Sequence, residues 1–225
     1  MVTLSTLLLY IRCFVSIPSS ADSIIVLDFE TTGLSPQQGD RAIEIGAVKL
    51  HQGEVVDRFQ SLMNPGFRVS GFIESYTGIT NSMLVNAPSC DDVMDQFADF
   101  IQGCNLLAHN ASFDQRFLDA ELRRIDRHYS GQFACSLLIS RRIHQEWSSH
   151  KLGDLVQYHQ IENDGVFHRA LADAEMTARL WQVQLSTIKD KFDIQQPSFE
   201  LMLKIAKTPK ASVEQMLRKE ASITK

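Results

Sequence analysis

The 225 residues are 44% hydrophobic and 22% charged, with no low-complexity run, a composition that suits one folded domain with a sizeable core. The formal net charge of −5 argues against a broad basic face for long duplex nucleic acid, although acidic metal ligands count against the total until their ions bind. Four cysteines, Cys13, Cys90, Cys104 and Cys135, show no CxxC spacing, which excludes an ordinary zinc site and points to reduced thiols in a reducing, cytoplasmic compartment.

Residues 1–17, MVTLSTLLLYIRCFVSI, are apolar but interrupted by Arg12. They fall short of the ~20 residues of a bilayer span and lack the charged start of a secretory signal. Residues 1–21 are therefore expected to form an extension or a docked helix, with a membrane-contacting or targeting segment as the alternative.

The segment SIIVLDF predicts a buried strand. RAIEIGAVKLHQGEVVDRFQSLMNP predicts two strands joined at Gln52-Gly53, a hairpin signal that makes the first members of the sheet antiparallel. In SCDDVMDQFADFIQG, Val93, Met94, Phe97, Phe100 and Ile101 recur at helical spacing before Gly103. NLLAHN predicts a short strand, SFDQRFLDAELRRI a helix, residues 133–143 a strand and a helical turn, and HKLGDLVQYHQI a short helix. HRALADAEMTARLWQVQLSTI predicts the longest helix. Strands alternating with helices after an initial meander indicate an α/β layered domain. It is assigned to residues 22–189. Residues 190–225 carry two short amphipathic patterns around Pro197 and Pro209 and are expected to be a helical tail.

Three acidic segments stand out. In IIVLDFETTGL, Asp28 and Glu30 share one face of a strand while Phe29 points into the other. Two carboxylates so close repel unless they are solvated or a cation lies between them. LLAHNASFD repeats a short apolar strand ending in polar groups, with Asp114 opening a helix, where a capping role is the plain alternative. In FHRALADAEMTARL, Asp173 lies beside an apolar helical stripe, so its carboxylate is expected to face the sheet. His168 sits five residues earlier, at the loop-to-helix junction. Alone it would be a surface or packing residue.

Together these segments resemble the DEDD exonuclease superfamily in its histidine-containing branch, which includes the epsilon proofreading subunit of DNA polymerase III, ribonuclease T and oligoribonuclease. DFETTGL resembles the first motif, HNASFD the second and HRALADAEMTA the third, of form H-x-A-x-x-D. RAIEIGAV, YTGIT and HKLGDL are similar to the linking segments, and the resemblance covers about residues 22–185. It implies a ribonuclease H-like fold, with a mixed five-stranded sheet whose first three strands are antiparallel, flanked by helices.

The resemblance also implies a two-metal 3′–5′ exonuclease. Asp28, Glu30, Asp114 and Asp173 would hold two Mg²⁺ or Mn²⁺ ions about 4 Å apart, with Asp28 bridging them and Asp114 acting more through water. His168 would be the general base, its ordinary pKa suiting proton abstraction from water at neutral pH. Nucleoside 5′-monophosphates would leave a single-stranded 3′ end. Without those four carboxylates the net charge is −1, which suits a short single strand better than a long duplex. Thr31, Thr32, Gly33 and Leu34 are expected to touch the terminal nucleotide, with Leu34 wedging between bases. His109, Asn110 and Phe113 flank the second motif, although Phe113 also suits a core position. Tyr76 and Thr77 either border the nucleotide pocket or form a plain turn. FACSLL departs from relatives that carry Asp after the second motif, with Cys135 at or beside that place. The motifs look closer to epsilon-like DNA degradation, with RNA trimming as the alternative and the tail a docking segment for a polymerase subunit. A non-catalytic module that binds nucleic-acid ends or a partner is the rival, and it would be expected to have lost at least one of the five motif residues.

Overall fold

The apolar run after Ser23 forms β1 (Ile25–Thr31), the central strand of the sheet. It pairs antiparallel with β2 (Ala42–His51), which turns at Gln52-Gly53 into antiparallel β3 (Glu54–Leu62). Both turn residues have positive φ, 53° and 82°, as a tight two-residue hairpin requires. On its other edge β1 pairs in parallel with β4 (Leu106–Ala108), and β4 with β5 (Phe133–Cys135). The order β3-β2-β1-β4-β5 is the expected mixed five-stranded sheet. The computed structural model describes residues 17–162 and 168–223. Of the extension expected over residues 1–21, residues 1–16 lie outside them.

Helices cover both faces. α1 (Gly71–Thr77) and α2 (Asn81–Leu84) are too short to show a periodic pattern, so in sequence YTGIT left a pocket border and a plain turn both open. Their caps, Ser70 and Thr80, were the available signals. α3 (Cys90–Phe100) and α4 (Ser112–Arg124) occupy the expected segments. α5 (Ser136–Ile143) and α6 (Leu152–Tyr158) precede the long α7 (Ala170–Phe192), then α8 (Phe199–Lys207) and α9 (Val213–Ile223) close the chain. No described helix is long and apolar enough to cross a membrane.

Alternation along β1 divides the core. Ile25, Leu27 and Phe29 pack with Phe97, Phe117 and Leu122 from α3 and α4. Val26 packs on the other face with Trp181 of α7 and with Phe199, Met202 and Leu217 of α8 and α9. Phe199 donates its backbone N–H to Ser19 and Trp181 its indole N–H to Ala21 O, so the C-terminal helices are stitched to the lead into β1. Asp28 and Glu30 have the parity of Val26 and so point to the α7 side.

The start of α7 lies directly on β2. A methyl group on Gly46 would sit 2.0 Å from the backbone nitrogen of Leu171. Gly46→Ala is expected to push α7 off the sheet, an overpacking cost of about 1–3 kcal/mol. Thermal melting should fall by several degrees. An unchanged melting temperature would show that the helix yields without strain.

Candidate active site

β1 carries its two carboxylates to the end of the sheet, where pairing with β2 shifts register between Glu30 and Thr31 and the strand stops. α7 approaches from the same face. Carboxylate oxygens of Asp28, Glu30 and Asp173 all lie within 4.8 Å of one another. Asp114 arrives from the opposite side on the first turn of α4, and its Oδ1 accepts the backbone N–H of Phe29 at 3.2 Å. The structure thus brings all four predicted carboxylates to one strand end, three in a cluster and one held by the backbone.

Their electrostatics are unfavourable by themselves. Burial pushes the Glu30 carboxyl up to about 8, helped by Asp173 and Glu44 and opposed by Arg169. Burial also pushes Asp114 up to about 8, against the hydrogen bond from Phe29. Asp28 rises through burial and the charges of Asp114, Asp173 and Glu30. Asp173 rises through burial, offset by the backbone N–H groups of Arg169 and His168. An all-oxygen, partly desolvated and mutually repelling donor set fits hard divalent cations.

Two ion pairs made by buried glutamates position this set, and neither was singled out from sequence. Glu44, fully buried on β2 opposite Glu30, accepts from Arg169 Nε at 3.1 Å, Arg169 Nη2 at 2.8 Å and Ala170 N at 3.1 Å. This fixes the first turn of α7, where Arg169 N also donates to Asp173 Oδ2 at 3.2 Å. On the other face Glu121 of α4 accepts from Arg41 Nε at 2.9 Å and from Ala42 N at 3.1 Å. The available signal was an isolated Glu among the buried residues of RAIEIGAV.

The carboxylates floor a cavity of about 670 Å³. His168 lines it at φ 61°, a left-handed conformation rare outside glycine, with its ring 4.4 Å from that of Tyr76. Leu34 and Phe72 project into it, 75% and 73% exposed, and Phe113 forms part of the wall. Phe72, stacked on Tyr76, is a site residue that sequence reasoning missed.

Several expected contacts have other duties. The Thr31 hydroxyl donates to Gly33 O, and the Thr32 hydroxyl to Asp40. Gly33 lines the cavity, and a methyl group there would lie 2.5 Å from the Asp40 carboxylate. Thr77 donates to Ile73 O and, with Gly78 at φ 71°, ends α1. His109 is bonded through both ring nitrogens, to Ser136 Oγ at 2.8 Å and His150 O at 2.9 Å, and burial pushes its pKa down to about 4. It borders the cavity without a free donor. Asn110 does not line this cavity; its φ of 69° turns it toward a neighbouring one.

The family model described as Exonuclease, RNase T, matches residues 25–181. The chain belongs to the RNase T exonuclease family. It is similar to the PolC-type DNA polymerase III of Caldanaerobacter subterraneus subsp. tengcongensis, 35% identical over 166 residues, and to that of Staphylococcus aureus, 38% identical over 167 residues. Each match covers 74% of this chain but only 12% of the relative. Among solved structures, Exonuclease X in complex with 5′ overhanging duplex DNA aligns with a TM-score of 0.62 and 25% identity, covering 81% of this chain and 99% of that one. The nuclease domain of 3′hExo, a DEDDh family member bound to rAMP, aligns with a TM-score of 0.62 and 22% identity, over 79% of this chain and 96% of that one. The histidine-containing DEDD resemblance and the ribonuclease H-like fold are both borne out.

The pKa shifts of this exonuclease domain define its stability without cation. Glu30 and Asp114 hold protons in the folded state up to about pH 8, so stability falls as pH rises from their ordinary range through about 8. His109 and His144, both pushed down to about 4 by burial, act at the other end: stability falls as pH drops from 6.5 towards 4. The two sets oppose each other below pH 6.5, so in EDTA the melting temperature should fall clearly only as pH rises from 6.5 to 8.5. Mg²⁺ should raise it at pH 8.5 and hardly at all at pH 5.5, and Glu30→Gln should raise the pH 8.5 value without cation. A flat profile in EDTA that ignores Mg²⁺ would contradict the repulsive site.

Proposed function

We propose that this chain is a metal-dependent 3′–5′ exonuclease acting on single-stranded ends, with DNA as substrate and nucleoside 5′-monophosphates as products. The convergence of Asp28, Glu30 and Asp173 at the floor of a nucleotide-sized cavity carries the reading. Its support for DNA is the 35–38% identity to PolC-type DNA polymerases. That likeness also supports a cytoplasmic location and a polymerase partner. Since α8 and α9 bury their apolar faces in the domain core, such a partner would meet their exposed polar faces.

Each side chain then has a part. Asp28, Glu30 and Asp173, with Asp114 behind them, would hold two divalent cations, Mg²⁺ or Mn²⁺, whose chemistry is to neutralise charge at the scissile phosphate and on the leaving 3′ oxygen. His168 lines the cavity beside Asp173 and accepts a proton from the attacking water. The water oxygen bonds to phosphorus as the phosphorus–O3′ bond breaks. Tyr76 supports the imidazole ring, while Leu34, Phe72 and Phe113 give the terminal base apolar surfaces. The backbone of residues 31–34 forms the remaining wall.

Product analysis tests this. With Mg²⁺ or Mn²⁺, 5′-labelled single-stranded DNA should shorten as a ladder from its 3′ end, faster than RNA of the same sequence and at a mismatched duplex end. Asp28→Ala should abolish release, and His168→Ala should slow it by about 10²–10⁴-fold. Release from internal or 5′ positions, or full activity in both variants, would overturn the assignment.

A further inference from the structure

The active-site cavity shares His109 and Leu152 with a second cavity of about 740 Å³. Three exposed cations line the second one: Arg141 on α5, Lys151 capping α6, and Lys210 in the turn between α8 and α9. No carboxylate lines it among the described residues. Among the described residues none of these three is in an ion pair with a carboxylate, a state they share with other surface cations such as Arg116 and Lys207, so it is their grouping in one cavity that sets them apart. Lys210 is brought here by hydrogen bonds from Arg142 Nε to Thr208 O at 2.9 Å and from Gln145 Nε2 to Lys210 O at 3.0 Å. Trp147, stacked on Tyr158, adds an aromatic wall.

We propose that this groove holds the phosphodiester backbone of the strand on the 5′ side of the bond being cut. The inference rests on the exonuclease reading and extends it to the part of the substrate outside the catalytic cavity. A strand whose last nucleotide sits over the carboxylates must leave with one negative charge per residue. The catalytic floor repels those phosphates. The basic cavity adjoins it directly and offers unpaired cations on a surface whose total charge is negative. Three phosphate contacts and one aromatic wall match a short, sequence-independent single-strand site.

The test removes the charges in the triple variant R141A/K151A/K210A. Anisotropy of a 5′-labelled single strand in EDTA reads the groove apart from catalysis. The dissociation constant should rise about tenfold, and its log–log salt slope should become shallower by about 2, as loss of three phosphate contacts predicts. With Mg²⁺, KM for the oligonucleotide should rise with kcat unchanged. Hydrolysis of the p-nitrophenyl ester of thymidine 5′-monophosphate, which fills only the catalytic cavity, should not change. If binding and salt slope match the wild type, the groove proposal is overturned. If the triple variant loses ester hydrolysis or does not fold, the surface substitution Lys210→Glu carries the same test, with at least threefold weaker binding expected and no weakening overturning the proposal. If the wild type hydrolyses neither substrate, the exonuclease reading fails, and the EDTA measurement still judges the groove.

Discussion

Mutual repulsion among buried carboxylates governs this domain. Asp28, Glu30 and Asp173 would lower their energy by moving apart into water, and the fold prevents it. Phe29 prevents it on β1, because its ring is buried against Phe97 and its N–H is bonded to Asp114. Any rotation of the strand that relieved Asp28 would break both. The site is a region where local preference and overall stability disagree, which is where function is commonly found.

β2 is the element that enforces the disagreement. It presents Glu44 and Gly46 to α7, and at its start Arg41 and Ala42 meet Glu121 of α4. One strand therefore sets both helices that deliver the remaining carboxylates. In each pair a buried glutamate takes a guanidinium and a backbone N–H together, leaving few oxygen lone pairs unsatisfied. Such pairs contribute modest net stability but are costly to break from one side, so they act as positioning devices. Gly46 supplies the close approach that brings Arg169 within reach of Glu44.

The sequence disclosed what depends on near neighbours. Asp28 and Glu30 share a face because side chains alternate along a strand. The Gln52-Gly53 turn sets the hairpin, and α3, α4 and α7 have periodic stripes long enough to detect. It did not disclose contacts closed over long separations. Glu44 and Arg169 lie 125 residues apart, Arg41 and Glu121 80 apart, and neither member of either pair is unusual where it stands. The duties of Thr31, Thr32 and Thr77 were hidden for the opposite reason. Their partners are close in sequence, but only the folded loop shows that the hydroxyls are already used. Phe72 went unnoticed because a seven-residue helix is too short for a periodic pattern, even with Tyr76 one turn further on.

Net charge conceals local detail in a similar way. A total of −5 describes the whole surface, yet a strand end experiences only the few charges around it. Here those charges are separated: carboxylates floor one cavity, and Arg141, Lys151 and Lys210 line the next. Divalent cations would turn the acidic floor attractive to a single phosphate, while the adjoining cations act on the chain behind it. Because Lys210 belongs to the turn between α8 and α9, the C-terminal helices take part in this division. Their apolar faces complete the core beneath Trp181, and their connection carries one charge of the basic wall. A domain of this kind needs no broad basic face, since the charges that matter line two adjoining cavities.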